Sequence, residues 1–218
     1  MMVGIVVYLD KMRVQWYQHR DAAVVSTDVP EALVHDGDVV DRLGFQTGIR
    51  SAIGQHKFTP GPVAIVVSQE LCYWQEVTGD EKEKEAQTQQ FLETVPYDAT
   101  LSRRYVVNAK DVVVALPKEL TDALRQTLGQ EGFAALLVVP SLLLGQESAK
   151  RWLDAGMGKY VVTHADSLVA QNILGGEEES YAAISASHPL VPKYQQRLVL
   201  LVGIFAILVI VLAFLLFR

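Results

Sequence analysis

VVVALPKELTDALRQTLGQEGFAALLVV, Val112 to Val139, carries the periods of a strand, a helix and a second strand in one stretch. Asp111 to Leu116 is a short apolar run that reads as a strand, and Pro117 has the preset φ of a helix entrance. Leu120, Leu124 and Leu128 then recur at four-residue spacing, with Gly132 placed as a C-terminal cap. Ala134 to Val139 is apolar again. Strand, helix and strand in succession predict a βαβ unit with parallel strands and a right-handed crossover.

Upstream, Val3 to Leu9, Met12 to Gln18 and Ala22 to Val25 read as three strands, the first two joined by a tight Asp10-Lys11 turn and therefore antiparallel. Asp36-Gly37 marks a turn ahead of a helix whose face would hold Val39, Leu43, Ile49 and Ile53. Gly61 to Ser68 and Leu71 to Val77 read as strands, and Gly79 to Val95 as a helix with Asp80 and Glu81 at its positive end. Arg103 to Asn108 follows as a strand ahead of Asp111 to Leu116. Downstream, the pattern predicts a helix over Ser141 to Ala155 and a short strand over Lys159 to Thr163. The fold class is α/β, with an antiparallel start and a parallel finish.

The run from Leu198 to Phe217, LVLLVGIFAILVIVLAFLLF, has no charge, amide or proline. At about 1.5 Å per residue it reaches about 30 Å, the thickness of a bilayer's hydrocarbon core. With Leu198, Val202, Ile207, Val211 and Phe217 along its length, it predicts one C-terminal transmembrane helix over 197–218. No basic region precedes the first apolar run, so it is not a signal peptide. Lys193 and Arg197 against Arg218 place the N-terminal part in the cytoplasm. Residues 176–196, rich in Glu, Ser, Ala and Pro, read as a flexible tether.

The net charge of −6 and pI near 5.4 exclude a general nucleic-acid binder, which needs a basic face to replace phosphate counterions. Cys72 has no partner for a disulfide, and the five histidines show no metal-ligand spacing, so neither metal nor cofactor is expected. The chain lacks GxxxxGK[ST], GxGxxG after a strand, and GxSxG. Ser68 and Ser141 each follow a strand without flanking glycines and read as loop serines. Asp36, Asp38 and Asp41 are the densest carboxylates, placed for turn formation and helix capping. Trp16, Tyr17, Tyr73, Trp74 and Trp152 read as core aromatics. No catalytic residue is legible.

Four stretches nonetheless follow a known order. Val3-Gly4-Ile5 opens a first strand, VHDGDVVD (Val34 to Asp41) leads into a helix, FLETVPYD (Phe91 to Asp98) closes an acidic helix, and Val112 to Phe133 is followed by VVPSLLLG. In that order they resemble the N-terminal half of the PilM/GspL family, actin-like proteins of type IV pilus and type II secretion assembly. The resemblance implies half of an actin-like (RNase H-like) fold over residues 1–175, with an inserted α/β subdomain at about 34–110. It also implies a place at the bacterial inner membrane with PilN-like or other platform proteins, or the motor ATPase, as partners. The family's opening hairpin holds phosphate through an Asp and a Gly, where this chain has Val6 and Tyr8. A tyrosine blocks the approach of phosphate to backbone amides that glycine allows. The expected function is a non-enzymatic membrane-anchored scaffold; the alternatives are an ATP-binding protein whose cleft a partner completes, and a tail-anchored adaptor unrelated to pili.

Overall fold

The computed structural model describes residues 3–176. β1 (Ile5–Leu9) and β2 (Arg13–Gln18) pair antiparallel, with Ile5 opposite Gln18 and Leu9 opposite Val14, and β3 (Ala23–Asp28) extends the meander. β1 is buried at all positions because both faces of its sheet are covered, which is why it reads as an unbroken apolar run.

A small hairpin follows, β4 (Val34–His35) with β5 (Asp38–Val39). Its turn residues Asp36 and Gly37 sit at φ of 50° and 92°, the positive values a type I′ turn requires. Helix α1 (Arg42–His56) starts after Asp41, whose carboxylate accepts the Gly44 N–H at 2.9 Å. The expected face is corrected here. Val39 belongs to the hairpin and Leu43 is 75% exposed, while Phe45, Ile49, Ala52 and Ile53 are buried. The Asp41 cap sets the helical phase, so the face counts from Phe45.

β6 (Pro62–Val67) lies parallel to β1, and β10 (Ala134–Pro140) lies parallel to β6. The sheet therefore runs β3-β2-β1-β6-β10. The sheet is an antiparallel meander extended on the β1 side by two parallel strands. On one face α1 and helix α3 (Lys118–Gln130) bring Phe45, Ile49, Leu120, Leu124 and Leu128 against Val7, Trp16, Ile65 and Val138. Each fully buried leucine of α3 contributes about 1.5–3 kcal/mol of transfer free energy. The helix ends as its sequence requires: Gly132 has φ +84°, and the Phe133 N–H donates to the Leu128 carbonyl at 2.9 Å.

The other face is covered by α4 (Ala155–Thr163) and α5 (Ala165–Leu168), whose Met157, Val161, Ala165 and Leu168 pack against Val6, Tyr8, Tyr17, Ala64 and Val139. This overturns both expectations for the stretch. Ser141–Leu143 and Gly145–Ala149 are only 3-10 turns, and Lys159 to Thr163 is helical. The β-branched triplet Val161-Val162-Thr163 suggested a strand, but the buried positions 157, 161, 165 and 168 have helical spacing, and Asp154 caps the Met157 N–H at 2.7 Å.

A second sheet stands between β6 and β10 in the chain. β7 (Tyr73–Val77), β8 (Thr100–Val107) and β9 (Lys110–Pro117) form it in the order β7-β9-β8, all antiparallel. Helix α2 (Glu81–Thr94) covers one face through Phe91, packed with Val77, Val113 and Ala115. Asp80 and Glu83 close a reciprocal capping box at its start. Of the 34–110 segment, β6 belongs to the first sheet and the second is built from Tyr73–Pro117. The βαβ expectation is also corrected, because β9 pairs in the second sheet and β10 in the first. The tight Asn108-Ala109 turn, both residues at positive φ, lets β9 fold back on β8 at once. α3 is thus the link between sheets, and the parallel neighbour of β10 is β6.

The anchor residues Leu198, Val202, Ile207, Val211 and Phe217, and nearly all of the tether, lie outside the described residues. Among the described residues no helix is long and apolar enough to cross a membrane.

Candidate functional site

In an open sheet with parallel strands, ligands enter at the carboxyl ends of those strands. Here β1, β6 and β10 end together. A hollow of ≈ 230 Å³ at that edge is lined by Tyr8, Ser68, Gln69, Glu70, Ser148, Ala149, Lys150 and Arg151.

Two residues at this edge are set by the pairing of β1 with β6. Ser68, the first residue after β6, donates its backbone N–H to Leu9 O at 2.9 Å, and its hydroxyl donates to the Asp10 carboxylate at 2.7 Å. Asp10 and Ser68 are both buried, so this bond lies in a dry setting where either partner alone would be costly. Beside them, the Cys72 thiol donates to the Ser68 carbonyl at 3.0 Å, and burial pushes its pKa up.

Tyr8 fills the side nearest the first hairpin. Its ring is buried in the α4 face of the core, and its phenol donates to the Arg151 carbonyl at 3.3 Å. Burial, reinforced by the nearby Asp10, pushes the phenol well above its ordinary range, with Ser141 acting weakly the other way. Tyr8 is a neutral plug. Val6 is fully buried on the same face. The opening hairpin therefore presents packed side chains where its strand end faces the hollow.

On the outer wall the lysine is already neutralised. Lys150 reaches Glu147 at 2.6 Å and Asp154 at 2.8 Å, and its hydrogen bonds to Asp154 and then Glu147 raise its pKa. Gln69 Nε2 closes the rim by donating to Ser148 O at 2.8 Å. The reading of Asp10-Lys11 as a turn, and of Ser68 as a loop serine, missed the Asp10–Ser68 pair. The available signal was a polar residue directly after each of two unbroken apolar runs, which places both at the same sheet edge once the strands are parallel.

The carboxylates singled out in the sequence do not line this hollow. Asp36 accepts from Lys11 Nζ at 3.2 Å, Asp41 caps α1, and Asp38 has its pKa raised by burial and then by Asp98 and Glu119. Among the described residues, no group of His, Cys, Asp and Glu is arranged to hold a metal ion. The aromatic expectation is corrected: Trp16 and Tyr17 are buried, whereas Tyr73, Trp74 and Trp152 are 40%, 59% and 49% exposed. Trp152 lies beside the hairpin, with the Arg13 guanidinium 4.5 Å over its ring. Tyr73 and Trp74 lie on β7, an edge strand. A second hollow, ≈ 280 Å³, is lined by Val106, Val107, Asn108, Leu142, Leu143, Gly145, Ser148 and Gln171, between the β8–β9 turn and the turns after β10, and shares Ser148 with the first.

No protein-family model and no curated protein matches the sequence. Solved structures do match the fold. One is described as the "PilM-PilN type IV pilus biogenesis complex", at 14% identity and TM-score 0.43, covering 65% of this chain and 48% of that one. Another is the cytoplasmic domain of EpsL, an inner-membrane component of the type II secretion system of Vibrio cholerae, at 13% identity and TM-score 0.40, covering 64% and 58%. A third, from Bacteroides thetaiotaomicron, is described as having an actin-like ATPase fold and unknown function, at 9% identity and TM-score 0.39, covering 64% and 52%. The chain spans about half the length of each. The chain itself is a mixed α/β protein.

Proposed function

We propose that this chain is a non-enzymatic, membrane-anchored scaffold subunit of the inner-membrane assembly platform of a type IV pilus or a related secretion system. The observation that carries the non-enzymatic half is Tyr8. Its buried ring and neutral phenol occupy the strand end from which a phosphate-holding hairpin would have to offer exposed amides. The hollow left beside it, ≈ 230 Å³, is smaller than the roughly 300–1,000 Å³ of ordinary small-molecule sites. Its one lysine is held by two carboxylates of the chain itself.

The platform half rests on the order of sequence elements shared with the PilM/GspL family, with the apolar run Leu198 to Phe217 as the anchor and the folded part in the cytoplasm. PilN-like proteins, other platform components or the motor ATPase are the partners this reading names. The second hollow, lined by Val106, Val107, Leu142 and Leu143 together with Asn108, Ser148 and Gln171, offers such a partner a seat of mixed polarity.

The test is purification of the tagged full chain from detergent extracts at native expression, followed by mass spectrometry and by calorimetry with Mg-ATP. The expected result is co-purification of platform or motor components without nucleotide binding. Recovery of none of those components would reject the platform role, and micromolar Mg-ATP binding would reject the non-enzymatic one.

A further inference from the structure

The two sheets treat their edges differently. At β10, the Val138 N–H donates to Asn172 Oδ1 at 2.9 Å, so a side chain occupies a position a further strand would take. At β8, the 3-10 turn Ile173–Gly176 packs alongside, and Arg103 donates to the Asn172 carbonyl. β3 ends in Ser26, Thr27 and Asp28, polar residues suited to water. β7 has no such protection. Among the described residues it pairs with β9 alone, and Tyr73–Val77 forms no backbone hydrogen bond on the opposite side. Four of its five residues, Tyr73 through Glu76, are exposed, and it has neither a proline nor a lysine to repel a neighbour. An open edge bearing Tyr73 and Trp74 is a template for strand addition.

The sequence of this edge is complementary to itself. When YWQEV pairs antiparallel with a second YWQEV so that all five residues find partners, the two-fold axis falls at Gln75. Trp74 then lies opposite Glu76 of the second copy, Tyr73 opposite Val77, and the two Gln75 amides face each other. No like charges lie directly opposite; the two Glu76 side chains form the other diagonal pair on that face, each bound by its own Lys110. Trp74 and its symmetry mate become diagonal neighbours on one face, within reach of aromatic rings. Lys110, bound to Glu76 at 2.6 Å, adds a cation beside the incoming indole. We infer that β7 is a homodimerisation edge, and that two copies of this chain join their second sheets into one six-stranded sheet through antiparallel β7–β7 pairing. This does not depend on the platform reading above.

The experiment uses the full chain in detergent. In the paired register the two Gln75 Cα atoms lie about 4.5–5.5 Å apart, within the range a disulfide bridges. Gln75→Cys under a mild oxidant should therefore give a covalent dimer on a non-reducing gel, while Val106→Cys, exposed near the end of β8, should not; the native Cys72 is buried and serves as background. Trp74→Glu sets Glu opposite Glu76 and should lower the Gln75→Cys cross-link by about tenfold or more. Adding Glu76→Lys to that variant restores opposite charges and should bring the cross-link back. Both positions are exposed, so folding is not at stake. The inference is overturned if Gln75→Cys cross-links no better than Val106→Cys, if Trp74→Glu leaves the dimer unchanged, or if the double variant stays monomeric. A monomeric chain whose Trp74 edge is covered by a different protein would likewise overturn it, giving the edge to a heterologous strand.

Discussion

Gly158 and Gly54 both sit in helices, and replacing each with alanine should move stability in opposite directions. In an open helix the change gains about 1 kcal/mol, from lost backbone entropy in the unfolded chain and better helix propensity. Gly54 in α1 is such a site, because a Cβ built there meets nothing within 4 Å. Gly158 in α4 is not: its Cβ would stand 2.2 Å from Cγ of Tyr17 and 2.4 Å from Cδ1, at the root of a buried ring that cannot swing aside. Relieving that overlap means moving α4 from the sheet or Tyr17 off its rotamer, a cost of about 1–3 kcal/mol or more for overpacking. Gly54→Ala should therefore stabilise by about 1 kcal/mol and Gly158→Ala destabilise by about 2, a separation of about 3. Urea unfolding of the full chain in mild detergent, followed by the fluorescence of the tryptophans, reads both. Adding Tyr17→Leu to Gly158→Ala should recover part of the loss. Equal midpoints for the two alanine variants would refute the packing of α4 on β2, and with it the helical assignment of 155–163.

The Asp10–Ser68 bond should behave as a coupled pair. Asp10→Ala and Ser68→Ala each leave a buried partner unsatisfied and should each cost about 1–3 kcal/mol, while the double variant costs clearly less than their sum; additive losses in urea unfolding would argue against the bond. Stability should also fall in alkali. Tyr8, Tyr97 and Tyr105 all have phenols raised above 10.0 by burial, so the folded chain keeps protons that the unfolded chain releases. Their contribution is whole below pH 10 and declines above it toward the raised folded values, by up to about 1.4 kcal/mol per pH unit for each phenol. Tyr8→Phe should make that decline shallower, and a flat profile to pH 11 would contradict the burial. Asn172→Ala should speed hydrogen exchange at the Val138 amide with a loss of about 1–3 kcal/mol; unchanged exchange there would mean that the edge is capped by something else.

The opening meander, β6, the helix between β9 and β10, and its glycine cap were legible because each is specified locally, by unbroken apolar runs, four-residue leucine spacing and Pro/Gly boundaries. What the sequence could not convey was which strand pairs with which. β9 and β10 are equally apolar, and only the Asn108-Ala109 turn commits β9 to the second sheet. Val161-Val162-Thr163 misled because β-branched residues favour strands, yet the pull of Met157, Val161 and Ala165 toward the sheet overrides that preference. At the candidate site, Tyr8 was readable as an obstruction. Asp10 and Ser68 were not readable as partners, because 58 residues separate them and only the parallel register of β1 and β6 brings them together. The exposed aromatics on β7 were misread for the opposite reason, since nothing in YWQEV itself says that its strand ends a sheet.

Asn172 holds β10 through its side chain and Arg103 of β8 through its carbonyl. That clasp stands near the last of the described residues, so tension applied to the chain at Gly176 reaches it before either sheet. Because the clasp is shared, such a pull loads both sheets at once instead of peeling one strand from an edge.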